Sequence, residues 1–241
     1  MIKGIIPHVR QQAYRRSAPC EYAFMPSHGQ ERGKHMKTND ERMQDILKHL
    51  ESLDHIRPET IPNIDLYMDQ VTTFMDEHLK DTKRYPEDKV LTKTMINNYA
   101  KNNLLPAPNK KKYSREHILL LIFIYYFKNL LSFHDIEQLF KPITEKHFNS
   151  SEGIPLEDIY REIFSQLEGG IDRIKEDILQ KYEHAGKTFE DKGLQKDDLE
   201  YLRLFSWICE LSFDVYLKKQ IIEHIIDDLR ETEPINIKKK K

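Results

Sequence analysis

Leu91-Thr-Lys-Thr-Met-Ile-Asn-Asn-Tyr-Ala-Lys-Asn-Asn-Leu-Leu-Pro-Ala-Pro-Asn-Lys-Lys-Lys-Tyr113 is the stretch that decides how this chain is read. Thr92 is placed to cap a short helix running to about Asn102, because its hydroxyl can accept from a first-turn N–H. Asn103 suits the left-handed residue that ends a helix, and Pro106 forbids continuation. At about 100° per residue, Thr94, Asn97, Asn98 and Lys101 fall at i, i+3, i+4 and i+7 and form one stripe. Met95, Ile96, Tyr99 and Ala100 cluster on the other side. The helix should dock by that apolar side and present amides, a hydroxyl and an ammonium, with no acidic residue among them. The segment Pro106–Tyr113 that follows is short, extended and basic, and it is the one place where a ribbon is expected.

Working outward, the spacing predicts helices on both sides. Ser114 caps one running to about Leu130, whose apolar run Ile118–Phe127 has the look of a buried helix and is far short of the ~20 residues that span a membrane. Ser132 and Asp135 have capping-box spacing for another, ending near Pro142. Upstream, Met43, Ile46, Leu47, Leu50 and Leu53 recur at three and four from Asn39 onward. Leu66, Val71, Phe74, Met75 and Leu79 do so after Pro58 and Pro62. Gly153 and Pro155 divide the chain. Beyond them Leu156, Ile159, Tyr160, Ile163, Phe164 and Leu167 mark one helix, and Ile171, Ile174, Ile178 and Tyr182 the next. A polar loop is expected around Gly186–Gly193. The last helix, about Asp197 to Leu229, carries Leu202, Phe205, Cys209, Ser212 and Tyr216 on one line with Leu204, Ile208 and Leu211 beside it. That is more apolar surface than one face needs, and implies burial on two sides or a partner helix.

The fold class expected is all-α, mainly helical. Its organisation is residues 1–38 as a disordered segment or mis-assigned start, 39–57 an N-terminal helix, 58–150 a DNA-binding domain, 151–233 an acidic helical region and 234–241 a basic tail. The 241 residues are 39% hydrophobic, too apolar for a disordered chain. Two cysteines supply no disulfide framework, which points to a reducing cytoplasm. The near-neutral total, 38 basic against 40 acidic side chains, hides an asymmetry. Residues 89–117 hold seven basic side chains and one acidic, whereas residues 152–233 hold 11 basic and 21 acidic. Such a chain can offer one surface to a polyanion while the rest repels it.

Leu91–Tyr99, Leu104-Leu-Pro106, Lys112-Tyr-Ser-Arg-Glu-His-Ile118 and Leu131-Ser-Phe-His-Asp-Ile136 together resemble the winged helix-turn-helix of MerR-type regulators. That family has a helix ending in tyrosine, a Gly-Leu-Leu-Pro-like turn, a basic wing closing on Tyr-Ser/Thr, then two helices. More closely, Ile61 to about Phe140 resembles the bacterial domain of unknown function 1836, with Leu66-Tyr-Met-Asp-Gln-Val71 and Met95-Ile-Asn-Asn-Tyr99 as its strongest echoes. The resemblance implies a MerR-like winged helix-turn-helix with a short basic wing, followed by a C-terminal helical region, and a cytoplasmic DNA-binding role. The departures are specific. Asn97 and Asn98 stand where MerR proteins usually have Arg-Tyr, and Lys110, Lys111 and Lys112 replace the usual wing arginine, while Tyr99 and Tyr113 are retained.

The expected function is therefore sequence-specific transcriptional regulation through duplex DNA, contacted by Lys93, Thr94, Asn97, Asn98, Tyr99, Lys101, Lys110, Lys111, Lys112 and Tyr113. Asn can pair bidentately with adenine, and Thr and Lys can meet bases or phosphates. A homodimer held by the 197–229 helix is expected, the alternative being an intramolecular bundle of that helix with the 39–53 helix, together with an unidentified effector as a possible further partner, and no membrane, cofactor or metal. The alternative is a non-enzymatic all-helical protein-interaction module. No enzyme is expected. Ala185-Gly-Lys-Thr188 lacks the glycine a phosphate loop needs, since that position is Lys181. Cys209 is expected to be a buried, inert thiol. His117 and His134 are expected at helix starts rather than on a metal. Residues 1–35 are expected to lie outside the functional protein, because Gln30–His35 can be encoded by a purine run resembling a ribosome-binding site shortly before Met36. Mass spectrometry of the native protein checks this: the first residue should be Met36, and a peptide covering Met1–Arg10 would overturn it.

Overall fold

The computed structural model describes residues 37–53, 55–150, 153–166 and 169–232. The segments expected to be a mis-assigned start and a basic tail, 1–36 and 234–241, lie outside them. Leu66–Tyr67 forms β1, and Lys112–Tyr113 forms β2. The helices are α1 (Asn39–Ser52), α2 (Met68–His78), α3 (Lys93–Lys101), α4 (Arg115–Phe127), α5 (Phe133–His147), α6 (Leu156–Ser165), α7 (Gly170–Gly186) and α8 (Lys196–Thr232). The described chain is mainly helical, and none of these helices is long and apolar enough to cross a membrane.

The core is built around α4. Every residue from His117 to Tyr125 is buried, so the helix is covered on all sides, as its uninterrupted apolar run requires. The cover comes from Val71 and Met75 of α2, Ile96 and Tyr99 of α3, Ile136 and Phe140 of α5, and Tyr160 and Phe164 of α6. Arg115, at the first position of α4, donates to the Ile61 and Pro58 carbonyls and pairs with Glu157 of α6 at 2.8 Å. The core therefore continues past Gly153 and Pro155 into α6.

A second, smaller cluster joins α1, α7 and the first half of α8. Met43, Ile178, Ala185 and Trp207 are buried there, with Leu47, Tyr182, Leu204 and Leu211 packed against them. A capping box starts α1: Thr38 Oγ1 accepts from Glu41 N–H at 3.2 Å, and Glu41 accepts from Thr38 N–H at 2.8 Å. One helix bridges the two clusters. Trp207 of α8 lies in the second, while Ile226 is 1% exposed in the first and Arg230 pairs with Asp135 of α5.

Three local expectations are corrected. Leu66 belongs to β1 rather than to α2, because it pairs with Tyr113 in an antiparallel register with Tyr67 opposite Lys112. Helix α5 passes through Pro142 to His147. Proline there costs ~3 kcal/mol in a helix interior, offset by Ile143 and Phe148 packing on the core. Cys209 is exposed, on the side of α8 away from the second cluster.

Because α8 mechanically joins the clusters, losing one should weaken both. Leu120→Ala should cost ~2–5 kcal/mol and lower the urea midpoint reported by helicity and by Trp207 fluorescence alike. A Trp207 transition that stays in place while helicity shifts would show that the clusters unfold separately.

Candidate nucleic-acid interface

Helix α3 starts as its sequence dictates, with Met95 N–H donating to Thr92 Oγ1 at 3.2 Å. It ends with Asn103 in the left-handed region at φ 60°. There the Tyr99 carbonyl accepts from both Leu104 N–H at 2.9 Å and Leu105 N–H at 3.2 Å. Leu104 and Leu105 are buried and pull the chain back onto the core. With Ile96 and Tyr99 facing inward, the opposite side is fixed. Lys93, Thr94, Asn97, Asn98 and Lys101 are all exposed. Among the described residues, the side chains of Thr94, Asn97 and Asn98 make no hydrogen bond and Lys101 no ion pair. They are polar groups held outward with nothing to satisfy them but water or a ligand.

The basic segment forms a tight turn. Lys112 N–H donates to the Asn109 carbonyl at 2.8 Å, and the two residues between, Lys110 and Lys111, have φ of 48° and 65°. Positive φ at both central positions is the type I′ arrangement that suits a twisted hairpin and normally selects Asn-Gly. Two lysines there cost roughly 1–2 kcal/mol each. The conformation persists because β1 and β2 set the register and Tyr113, 3% exposed, anchors the end. The turn leaves both lysine side chains exposed at its tip.

The start of α3 and the base of this turn meet at the start of α2. Lys93 pairs with Asp69, and Lys112 Nζ lies 5.2 Å above the Tyr67 ring. Tyr67 and Asp69 flank Met68, the first residue of α2. Lys93 is thus partly neutralised. Among the described residues, the free cations of this surface are Lys101, Lys110 and Lys111, with Lys112 seated on an aromatic face.

Of the residues expected at the interface, Tyr99 and Tyr113 are placed behind it. The Tyr99 ring is buried, 6.4 Å from that of Phe133, and the Tyr113 ring packs edge-on to His117 at 5.5 Å. Burial raises both phenol pKa values. They support the surface and do not line it. Tyr67, half-exposed, and Asp69 are not among the expected contact residues, because the first meets Lys112 of the ribbon and the second Lys93 of α3, both far along the chain. The expectation of an acid-free stripe holds for α3 itself; the acid enters from α2.

His117 secures the turn from below. Its Nδ1 accepts from Ser114 N–H at 3.0 Å and lies 2.8 Å from Ser114 Oγ, while its ring meets Phe148 at 4.8 Å. Nε2 is buried near the Pro106 and Ala107 carbonyls without a well-formed hydrogen bond. Burial pushes its pKa below the usual 6.5, against the opposing pull of those carbonyls and Asp65. His134 also stands in a first helical turn, as expected. The Gly186-Lys-Thr188 sequence lies at the C-terminal end of α7, the wrong helix end for cradling phosphate.

Residues 56–163 match the family model described as Domain of unknown function (DUF1836), a span running from the buried Ile56 to the last turns of α6 and so containing the interface and the α4-centred core. Neither a curated protein nor a solved structure matches the chain.

The neutral His117 ring accepts where its protonated form would donate, so protonation must break its bond to Ser114 N–H. Its folded pKa is depressed, so its contribution to stability is present above pH 6.5 and lost as pH falls through the folded value. Urea unfolding should show a stability that is level above that pH and declines below it. His117→Gln should flatten the decline between pH 6.5 and 5; an unchanged slope in the variant would assign it to other groups.

Proposed function

We propose that this chain is a sequence-specific DNA-binding transcriptional regulator that reads duplex DNA with α3 and places the Lys110–Lys111 turn on the phosphate backbone. The observation that carries this reading is the outward stripe of Thr94, Asn97, Asn98 and Lys101, none of whose side chains has a partner among the described residues. Buried polar networks hold folds together; an exposed, uncommitted row of amides on a helix locked in place from behind is suited to recognising base edges. The order of elements supports it as well. Strand β1, helix α2, helix α3 and strand β2 follow one another, with β1 and β2 paired into a ribbon behind a basic turn, and the resemblance to the winged helix-turn-helix of MerR-type regulators would put α3 in the reading position. The acidic 152–233 region would have to face away from the duplex, and two copies of the chain would present two such surfaces.

The charge inventory gives the proposal a number. Lys101, Lys110, Lys111 and Lys112 could neutralise about four phosphates per copy, so log affinity for two copies should fall with log salt at a slope near −7. Binding sites recovered by genome-wide pull-down and sequencing provide the duplex. On it, Lys111→Ala should weaken all sequences alike and flatten the slope by about one per copy. Asn98→Ala should cost ~1–3 kcal/mol on the recovered site and little on a shuffled duplex, because an amide reads a base and carries no charge. The many exposed apolar residues of α8 favour protein contacts. No binding to DNA at about 50 mM salt would leave the protein-interaction reading in place of this one.

A further inference from the structure

Helix α8 spans 37 residues, ~55 Å at 1.5 Å per residue. Its two halves dock by different faces. In the first half Leu204, Trp207 and Leu211 face α1 and α7, and Lys181 of α7 pairs with Asp214 at 3.0 Å. Near the end Ile226 and Arg230, turned about 90° from that face, meet the α4-centred core and Asp135. The switch leaves one face of the first half free. Turned about 150° from Trp207, it holds Tyr201, Phe205, Ile208, Cys209, Ser212 and Tyr216, with Tyr201 65%, Phe205 52%, Ile208 50% and Tyr216 56% exposed. Three aromatics with about half of ~200 Å² each in water make a patch at the upper end of what a lone chain exposes.

We infer that this face is the seam of a homodimer in which two α8 helices pack antiparallel, with the two-fold axis between residues 208 and 209. The stripe is self-complementary about that midpoint and about no parallel alignment. Tyr201 stands opposite Tyr216 of the second copy, Ile208 opposite Cys209, and the large Phe205 opposite the small Ser212. Asp198 and Lys219, equally far from the midpoint at the two ends of the stripe, come opposite each other. A parallel pair would instead set Asp198 on Asp198 and Lys219 on Lys219, crowd Phe205 against Phe205 and leave a gap between two serines. Isologous two-fold contact needs one patch that matches itself when reversed, and this one does. Lys219 is held for the purpose by Glu223, 3.3 Å away one turn on.

Light scattering of the full chain at micromolar concentration, with no DNA present, should give twice the 28.8 kDa chain mass. Phe205→Glu should give the single-chain mass with unchanged far-UV helicity, because Phe205 packs on neither cluster. Orientation is read by cross-linking in a Cys20→Ser, Cys209→Ala background. Asp198→Cys and Lys219→Cys chains should form a disulfide only when mixed, since like positions lie ~31 Å apart along the axis in the antiparallel pair. A monomeric or larger wild-type mass, a Phe205→Glu variant that still dimerises, or homodimeric Asp198→Cys links would each overturn the inference. None of these readouts depends on DNA binding, so the seam and the proposed function can fail separately.

Discussion

The constraint on which the structure rests is the complete desolvation of α4. A helix with nine consecutive buried residues has no solvent face to spare, so it must be enclosed. Enclosure dictates where the other elements go. Each of Ile118, Leu119, Leu120, Leu121, Ile122 and Ile124 contributes ~1.5–3 kcal/mol by burial, and each needs atoms from a different direction. Helices α2, α3, α5 and α6 supply four sides, and Tyr113 at the end of the ribbon closes a fifth. The outward direction of Asn97 and Asn98 is thus a by-product of covering α4: once Ile96 and Tyr99 are committed to it, the amides can point only to solvent.

The same enclosure ties α8 to α3. Asp135 sits in the first turn of α5, where it accepts from Ser132 N–H at 2.9 Å and also receives Arg230 of α8. Burial raises the pKa of this carboxyl, but the bonds from Ser132 and Arg230 outweigh it and hold the pKa below the ordinary value. Two residues before Asp135, Phe133 packs against the ring of Tyr99 in α3. Arg230, Asp135, Phe133 and Tyr99 therefore make a continuous physical chain from the end of α8 to the back of the stripe. A shift of the end of α8 would be felt at the cap of α5, one contact away from α3.

What was legible in the sequence was local. Thr92, Asn103, Ser114, and Ser132 with Asp135 mark helix ends through bonds that span three to five residues, and each end falls where its capping residue placed it. The apolar run of α4 announced its own burial. What was not legible was long-range. The partner strand of the basic segment is Leu66–Tyr67, and no periodicity near Lys112 encodes it. Tyr99 and Tyr113 looked like contact residues because tyrosines border the motif, yet a tyrosine ring serves as readily for packing. The apolar neighbours of Cys209 suggest burial, whereas α8 turns a different face to each cluster and leaves that one outside. Likewise nothing within Asn39–Ser52 says that its partners lie in α7 and α8, the nearest such ion pair being 124 residues on.

The lysine turn shows how strain and charge are balanced on this surface. Glycine at positions 110 and 111 would relieve roughly 1–2 kcal/mol each, and the tight ribbon would form more readily with it. Lysine keeps the left-handed backbone only because the structure around it overdetermines the register: Leu66 pairs with Tyr113 on one side, and His117 holds the Tyr113–Ser114 junction from below. That scaffold supports two adjacent cations at a tip where no acid in the described chain pairs with them. Strain of this kind is sustained where the strained side chains do something the relaxed residue could not. Here the difference between lysine and glycine is two positive charges, projected from a rigid turn beside a helix whose amides are already turned outward.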